Sequence, residues 1–411
     1  MGNLLTPALS STSVWRRGRT TGWFSFMSEP QAPVFLALLM FSAAAARGAD
    51  GGAGGDAAAA GTTPPMAAVL PAAEWRKVEN GVDRALAWLA ARQAADGSFP
   101  TLPQGQPAVT SLAIMAFLSR GHQPGAGPYG QQINRAIDYV IACQMPDSLF
   151  SYQTPAPVYQ MRRASHTASY NHGISGLMLA EVYGQVAGAR AKAVRQAIEK
   201  ALQFTRELQI RPKTAEDRGG WRYLRVNGSP DSDLSVTAWQ LMFLRSARNS
   251  EFNVPQQYVE EAMAFVRRCW DERAGGFRYA AAGMGEDGIG RGVTAAGIVS
   301  LAMAGQHQTK MAQAAGDWLL AHPFRRYGEY LGGHEKFIYS TLYWSQAAAQ
   351  LGGRYWQQMY PPMVDLILKA QTPDGSWRSE ANLAEFGDEL TTAMAVLSLT
   401  PPYQLLPVYQ R

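Results

Sequence analysis

From about residue 75 onward, hydrophobic residues follow two alternating patterns. One set of segments carries apolar side chains at i, i+3 and i+4 with charges on the opposite face. "RALAWLAARQAADGSF" (84–99), "RAIDYVIACQMPDSLF" (135–150) and "KALQFTRELQ" (200–209) are its clearest members, and "EAMAFVRRCW" (261–270), "AAGDWLLAHP" (314–323) and "PMVDLILKAQ" (362–371) are looser ones. The second set is apolar nearly all round: "AVTSLAIMAFLS" (108–119), "NHGISGLMLAEVY" (171–183), "LSVTAWQLMFLRSA" (234–247), "GVTAAGIVSLAMA" (292–304), "YSTLYWSQAAAQL" (339–351) and "LTTAMAVLSL" (390–399). A helix with one apolar stripe lies on a surface, and a helix apolar on all sides is buried. The alternation therefore predicts an all-α protein with an outer ring of amphipathic helices around an inner ring of buried ones.

The register of the first set supports a repeat. Trp88, Tyr139, Phe204, Phe265, Trp318 and Leu366 mark equivalent positions about 50 to 65 residues apart, which gives six helical hairpins. Six hairpins closing head to tail make an (α/α)6 toroid. Between the two helices of a copy stands a turn, "QAADGSF" (93–99) in the first copy and "QTPDGSW" (371–377) in the last, with Gly-aromatic relatives at 219–221 and 275–277. No nucleophile with a base beside it occurs in these turns. Asp-Gly supplies the reversal, and the aromatic anchors the returning chain in the core.

Residues 1–71 read differently. A basic flank, the apolar run "APVFLALLMFSAAAA" (32–46) and small residues after it describe a signal peptide over 1–49, with Met27 an alternative start. A run of about 15 apolar residues is short for a membrane anchor, which typically needs about 20; an uncleaved anchor is the alternative. The Gly/Ala/Pro-rich residues 50–71 read as a flexible linker, leaving 72–411 for the toroid. Periplasmic or secreted localisation follows, with membrane contact only through the N-terminal apolar segment.

Composition narrows the partners. The chain of 411 residues is 47% hydrophobic and 17% charged, which fits a large core and argues against disorder. Its net charge of +5 falls to +2 once Arg16, Arg17, Arg19 and Arg47, opposed only by Glu29, are set aside with the leader. No basic stripe interleaved with aromatics remains, so nucleic acid is not an expected partner. Cys143 and Cys269 occupy the same position in copies two and four, about 120° apart in a six-fold ring. That exceeds the roughly 7 Å between Cα atoms that a disulfide tolerates, so two buried free thiols are expected.

The recurring basic-Ala, aromatic, Gln and Gly-x-aromatic pattern resembles the QW-type repeat of the prenyltransferase/squalene oxidase and terpenoid cyclase superfamily. The likeness spans about residues 75–400 and is strongest at 84–99 and 364–377. It implies an (α/α)6 barrel with a central cavity entered where the inner helices begin. "GSPDSDLSVTAW" (228–239) resembles the Asp-x-Asp-Asp-Thr acid motif of class II terpenoid cyclases, in which a strong carboxylic acid protonates an alkene or epoxide. Asp231 and Asp233 match its first two acids and are the candidate catalytic residues. Leu234 and Ser235 replace its third acid and its Thr, so the alternative is that Asp233 or Ser235 caps the inner helix. The protein prenyltransferase β subunit in the same superfamily binds zinc through Asp, Cys and His. Neither cysteine here lies in an inner-helix loop and no Asp-x-Cys occurs, so no metal or other cofactor is expected.

Other residues fall at the expected cavity mouth. They are His166 and His172 in copy two, Trp239 in copy three, Glu286, Asp287 and Arg291 in copy four, Glu329, Tyr330, His334 and Glu335 in copy five, and Asp388 and Glu389 in copy six. Tyr339, Tyr343 and Trp344 stand nearby. His172 occupies the position of Thr110, Thr237, Thr294 and Thr392 in other copies, which favours a structural role. Three function classes follow: an exported, non-catalytic toroid binding a hydrophobic small molecule or a peptide or protein partner, a squalene cyclase-like or prenyltransferase-like enzyme, and a carbohydrate-active (α/α)6 enzyme with paired carboxylates.

Overall fold

Both helix types form where the patterns place them. The computed structural model describes residues 65–410 except 227, 229, 283–287, 330–334 and 382, all within one compact unit, Gly61–Arg411. The expected signal peptide and most of the linker lie outside the described residues. Among the described residues there are twelve α-helices. The outer ones are α1 (Ala72–Arg92), α3 (Gly130–Ala142), α5 (Gly188–Ile210), α7 (Gln256–Arg268), α9 (Lys310–Ala321) and α11 (Gly353–Lys369). The inner ones are α2 (Ala108–Ser119), α4 (Ala164–Val182), α6 (Leu234–Asn249), α8 (Arg291–Met303), α10 (Phe337–Leu351) and α12 (Gly387–Leu399).

Each inner helix packs on the inner helix before it and the one after it, and α12 returns to α2, so the ring closes. The outer helices pack against the inner ring, α1 chiefly on α12 and α3 on α2. This is the (α/α)6 toroid. All twelve residues of α2 are buried, whereas α3 buries one face, Ile133, Ala136, Ile137 and Val140. None of the described helices is long and apolar enough to cross a membrane.

The repeated turn works as a clamp between neighbouring copies. The Gln93 amide donates to Gly97 O within its own turn, and to Gln132 O on the next outer helix, both at 2.9 Å. Gln144 does the same with Ser148 and Ala197, and Gln209 with Gly219 and Tyr258. Gln371 closes the circle by donating to Gly375 O and Gly81 O, both at 2.8 Å. A basic residue on the following helix then donates to the Gln carbonyl, Arg135 to Gln93 and Arg84 to Gln371. One glutamine thus satisfies two buried backbone carbonyls and ties adjacent repeats together.

The aromatic after each turn is buried and hands its backbone N–H to the inner helix. Phe99, Trp221, Phe277 and Trp377 donate to Thr110, Thr237, Thr294 and Thr392 Oγ1 at 3.0–3.2 Å. Phe150 donates instead to His172 Nδ1 at 3.3 Å. The imidazole therefore replaces a threonine hydroxyl, and its Nε2 lies 3.1 Å from Ala201 O.

Three boundaries differ from the sequence pattern. Helix α4 starts at Ala164, two turns before Asn171, because the hydroxyls of its polar first residues find partners outside the helix: Ser165 Oγ accepts from Gln160 N just before it, and Thr167 Oγ1 donates to Gln104 O in the preceding copy. The end of the expected linker is ordered: Pro65–Val69 forms a 3-10 turn with Ala67 buried, and Trp356 Nε1 donates to Met66 O. At the other end, the 3-10 turn Pro407–Tyr409 packs on α6, with Val408 N donating to the buried carboxylate of Glu181. Burial pushes that carboxyl up to about 7. Cys143 and Cys269 are buried and unpaired.

Candidate functional site

Two kinds of residue gather at the N-terminal ends of the inner helices. Most of the charged ones are engaged in holding those ends. Asp233 is the N-cap of α6, with Oδ1 accepting from Val236 N and Ser235 Oγ, both at 2.8 Å. The Arg222 guanidinium, 3.6 Å away, and the Tyr279 hydroxyl also face its carboxylate. Burial raises the Asp233 carboxyl above the ordinary aspartate range, and Arg222 and the cap hydrogen bonds oppose that shift. Asp231 is committed elsewhere. Its Oδ1 takes a 2.6 Å ion pair from Arg211, and its backbone N–H goes to the buried carboxylate of Asp217 at 2.8 Å.

The two acids of the cyclase-like segment thus have separate partners. Asp233 is thus a helix cap, and Asp231 belongs to a largely buried ion pair beside it.

The other predicted carboxylates among the described residues have similar employment. Glu335 reaches back one copy to the first residue of α8, accepting from Arg291 N at 3.1 Å and from its guanidinium at 2.7 Å. Arg291 is fully buried, stacks 3.9 Å over the Phe324 ring, and also meets Glu329 at 3.3 Å. Glu380, which the sequence pattern did not single out, caps α10 in the same way by accepting from Phe337 N and Ile338 N. Asp388 accepts from Arg378 and from Ser379 N, and Glu389 from Arg92. Carboxylates at helix N-termini complement the helix dipole and the unpaired N–H groups there. Glu286, Asp287, Tyr330 and His334 lie outside the described residues.

The second kind of residue is tyrosine. The Tyr170 hydroxyl on α4 sits 2.7 Å from Ser235 Oγ on α6, two residues before His172 and Thr237 respectively. Trp239 Nε1 donates to the Tyr339 hydroxyl on α10 at 3.1 Å, and Tyr343 packs edge-on against Trp239. Tyr170 and Tyr339 keep part of their surface accessible. Beside them Tyr159 stacks on Tyr223 with centroids 5.4 Å apart, His166 lies 4.1 Å from the same ring, and the Tyr223 and Tyr279 hydroxyls are 3.3 Å apart. Burial and the nearby cations Arg222, Arg162 and Lys336 push the His166 imidazole down to about 4, so it is neutral at pH 7.

The structure therefore brings together His166, Asp233, Ser235, Trp239 and the tyrosines. His172 stays apart as a core residue, and Trp344 is tied to the outer helix α11 through Met359 O. Tyr159, Tyr170, Arg222, Tyr223 and Tyr279 were not read from the sequence. One signal was available: Tyr170 and Ser235 stand at the same position in consecutive copies, two before the shared Thr or His. Among the described residues, no group of three or more His, Cys, Asp or Glu side chains is placed to hold a metal ion.

The fold and its mouth define the class as an (α/α)6 toroid, and known structures share it. Type II terpene cyclase MstE from Scytonema aligns over 80% of this chain and 100% of its own, with 13% identity and a TM-score of 0.51. A glycosidase in complex with glucose aligns over 82% of this chain and 100% of its own, with 12% identity and a TM-score of 0.56. A protein from Actinoplanes aligns over 79% of this chain and 99% of its own, with 16% identity and a TM-score of 0.51. No family model matches the chain, and no curated protein sequence does. At these identities the likeness is one of fold.

Proposed function

We propose that the toroid binds a small hydrophobic molecule carrying hydroxyl or phenol groups at its tyrosine-lined mouth, and does not cyclise it. The observation that carries this reading is the separate engagement of Asp231 by Arg211 and of Asp233 by its own helix. The acids thus serve the fold, whereas the partly exposed Tyr170 and Tyr339 rings, beside Tyr159 and Tyr223, offer apolar contact for a ligand. The variant of MstE solved with geranylgeranyl dihydroxybenzoate, a terpene joined to a phenolic ring, supplies a probe of this chemistry.

Titration of the protein with geranylgeranyl dihydroxybenzoate should give saturable binding, and incubation with it or with squalene should give no cyclised product. Asp233→Asn keeps the cap through its amide oxygen and loses the charge opposite Arg222, so it should cost less stability than Asp233→Ala. Asp233→Ala should cost about 0.5–2 kcal/mol of stability. A cyclised product that disappears in both Asp231→Asn and Asp233→Asn would establish a cyclase instead.

Sugar binding is the second reading, favoured by the stacked Tyr159, Tyr223 and His166 rings, which present the flat aromatic surface that pyranose rings pack against. Glucose binding that is lost in Tyr223→Ala, with no response to the prenylated phenol, would select it.

The same reading places the protein outside the cytoplasm, on the strength of the basic flank and short apolar run at residues 15–46. N-terminal sequencing of protein from its host should find a mature chain beginning between about Arg47 and Pro65. An intact residue 1 or 27 on soluble cytosolic protein would contradict export.

A further inference from the structure

Exposed large apolar side chains are unevenly placed on the ring. Leu102, Tyr152, Val158, Met161, Ile210 and Val226 are six of the seven among the described residues, and all six stand at or after the ends of the outer helices α1, α3 and α5, where the chain leads into α2, α4 and α6. Leu405, the seventh, lies at the opposite end of the ring. Tyr152, Val158, Met161 and Val226 are 59–69% exposed, so their burial contributes little to the fold. The segments that carry them are neighbours. Tyr152 N donates to Gln106 O at 3.2 Å, Arg225 Nε donates to Ala156 O at 3.1 Å, and Tyr159 stacks on Tyr223. Single exposed apolar residues are ordinary, but several on adjoining loops mark an interaction surface.

Charge sorts the same way. Residues 100–107, 151–163 and 222–230 contain Arg162, Arg163, Arg222 and Arg225 and no Asp or Glu. Arg222 faces Asp233, and Arg162 meets Glu385 only at 3.7 Å while 65% of its side chain stays exposed. Arg163 is exposed, and neither it nor Arg225 has an ion pair among the described residues. The corresponding segments of copies four to six differ on both counts. They carry Asp271, Glu272, Glu329, Glu335, Glu380 and Glu385, and among the described residues none of the exposed large apolar side chains.

Half of the rim is thus apolar and cationic. Such a surface complements a lipid leaflet with anionic headgroups, in which aromatic and aliphatic side chains enter the interface while guanidinium groups stay with the phosphates. A protein partner needs a matching shape at the core of its interface, whereas a fluid bilayer accepts side chains from three irregular loops without one.

We infer that this half of the rim docks on an anionic membrane surface, with Tyr152, Val158, Met161 and Val226 entering the headgroup region and Arg162, Arg163 and Arg225 meeting its phosphates. The contact is separate from the one expected of the apolar run at 32–46, and it does not rest on what the mouth binds.

The test is sedimentation of the purified full chain with large unilamellar vesicles at low ionic strength. Vesicles of phosphatidylcholine mixed with phosphatidylglycerol should bind it at least about tenfold more tightly than vesicles of phosphatidylcholine alone, since each arginine near the charged surface adds to the attraction. Added salt should narrow that difference. Arg162→Gln with Arg163→Gln should lower affinity for the mixed vesicles about tenfold, and Val158→Ser with Met161→Ser should do the same. Both double variants should melt like the parent, because all four side chains are exposed. Equal binding to the two kinds of vesicle would overturn the inference. So would parental affinity in either double variant, which would assign the contact to the apolar run at 32–46. Failure of the parent to bind any vesicle would also overturn it, and would leave this half of the rim to a protein partner.

Discussion

Gly375→Val should destabilise the protein by about 2–6 kcal/mol, the sum of left-handed strain and overpacking at about 1–3 kcal/mol each. Gly375 has φ +95°, a backbone conformation that β-branched residues rarely adopt, and a Cβ there would meet the Arg84 carbonyl oxygen of α1 at 2.8 Å. The close approach is between the last copy and the first, so the substitution strikes the seam where the ring closes. Trp377→Ala should cost about 3–5 kcal/mol, because the side chain is fully buried and its indole N–H donates to Ile367 O at 2.7 Å. Chemical denaturation measures both. A variant as stable as the parent that has lost binding of the prenylated phenol would mean that the turn belongs to a site.

Arg291→Ala should lower stability by about 3–5 kcal/mol, since it strands the buried carboxylate of Glu335 without its cation and removes the partner of the half-buried Glu329. Glu335→Gln should cost less than Arg291→Ala, because the amide oxygen still accepts the Arg291 N–H that caps α8. Combining Arg291→Ala with Glu335→Gln should cost less than the sum of the two single changes, because the Glu335 carboxylate that Arg291→Ala strands is then neutral. A double variant that loses the sum of the two single effects would show that the residues act independently, contrary to the ion-pair geometry.

The repeat was legible because its determinants are local and recur. The stripe of Ile133, Ala136, Ile137 and Val140 announces a helix with one buried face, and the uninterrupted apolar text of 108–119 announces a helix with none. His172 was legible as a structural residue for the same reason, since it falls where other copies carry Thr. The start of α4 was not legible, because Ser165 and Thr167 are equally at home in a loop and only Gln160 and Gln104 make them helical.

The site was read less well, for a physical reason. A glutamate looks the same in a sequence whether it faces a ligand or a helix end, and Glu335, Glu380 and Asp388 each find their partner across a loop or a repeat boundary. Tyr159 and Tyr223, 64 residues apart in the chain, become a stacked pair only when the loops entering α4 and α6 converge.

The sequence by itself determined six hairpins, their inner and outer faces and the turns that join them, because periodicity and turn chemistry act over a few residues. The tertiary structure alone decided that Asp231 and Asp233 have different partners, and that Tyr159, Tyr170, Tyr223, Tyr279 and Tyr339 gather near the start of α6. Each of those depends on which atoms from distant segments come within hydrogen-bond or Coulomb range, a distance that the closing of the ring sets.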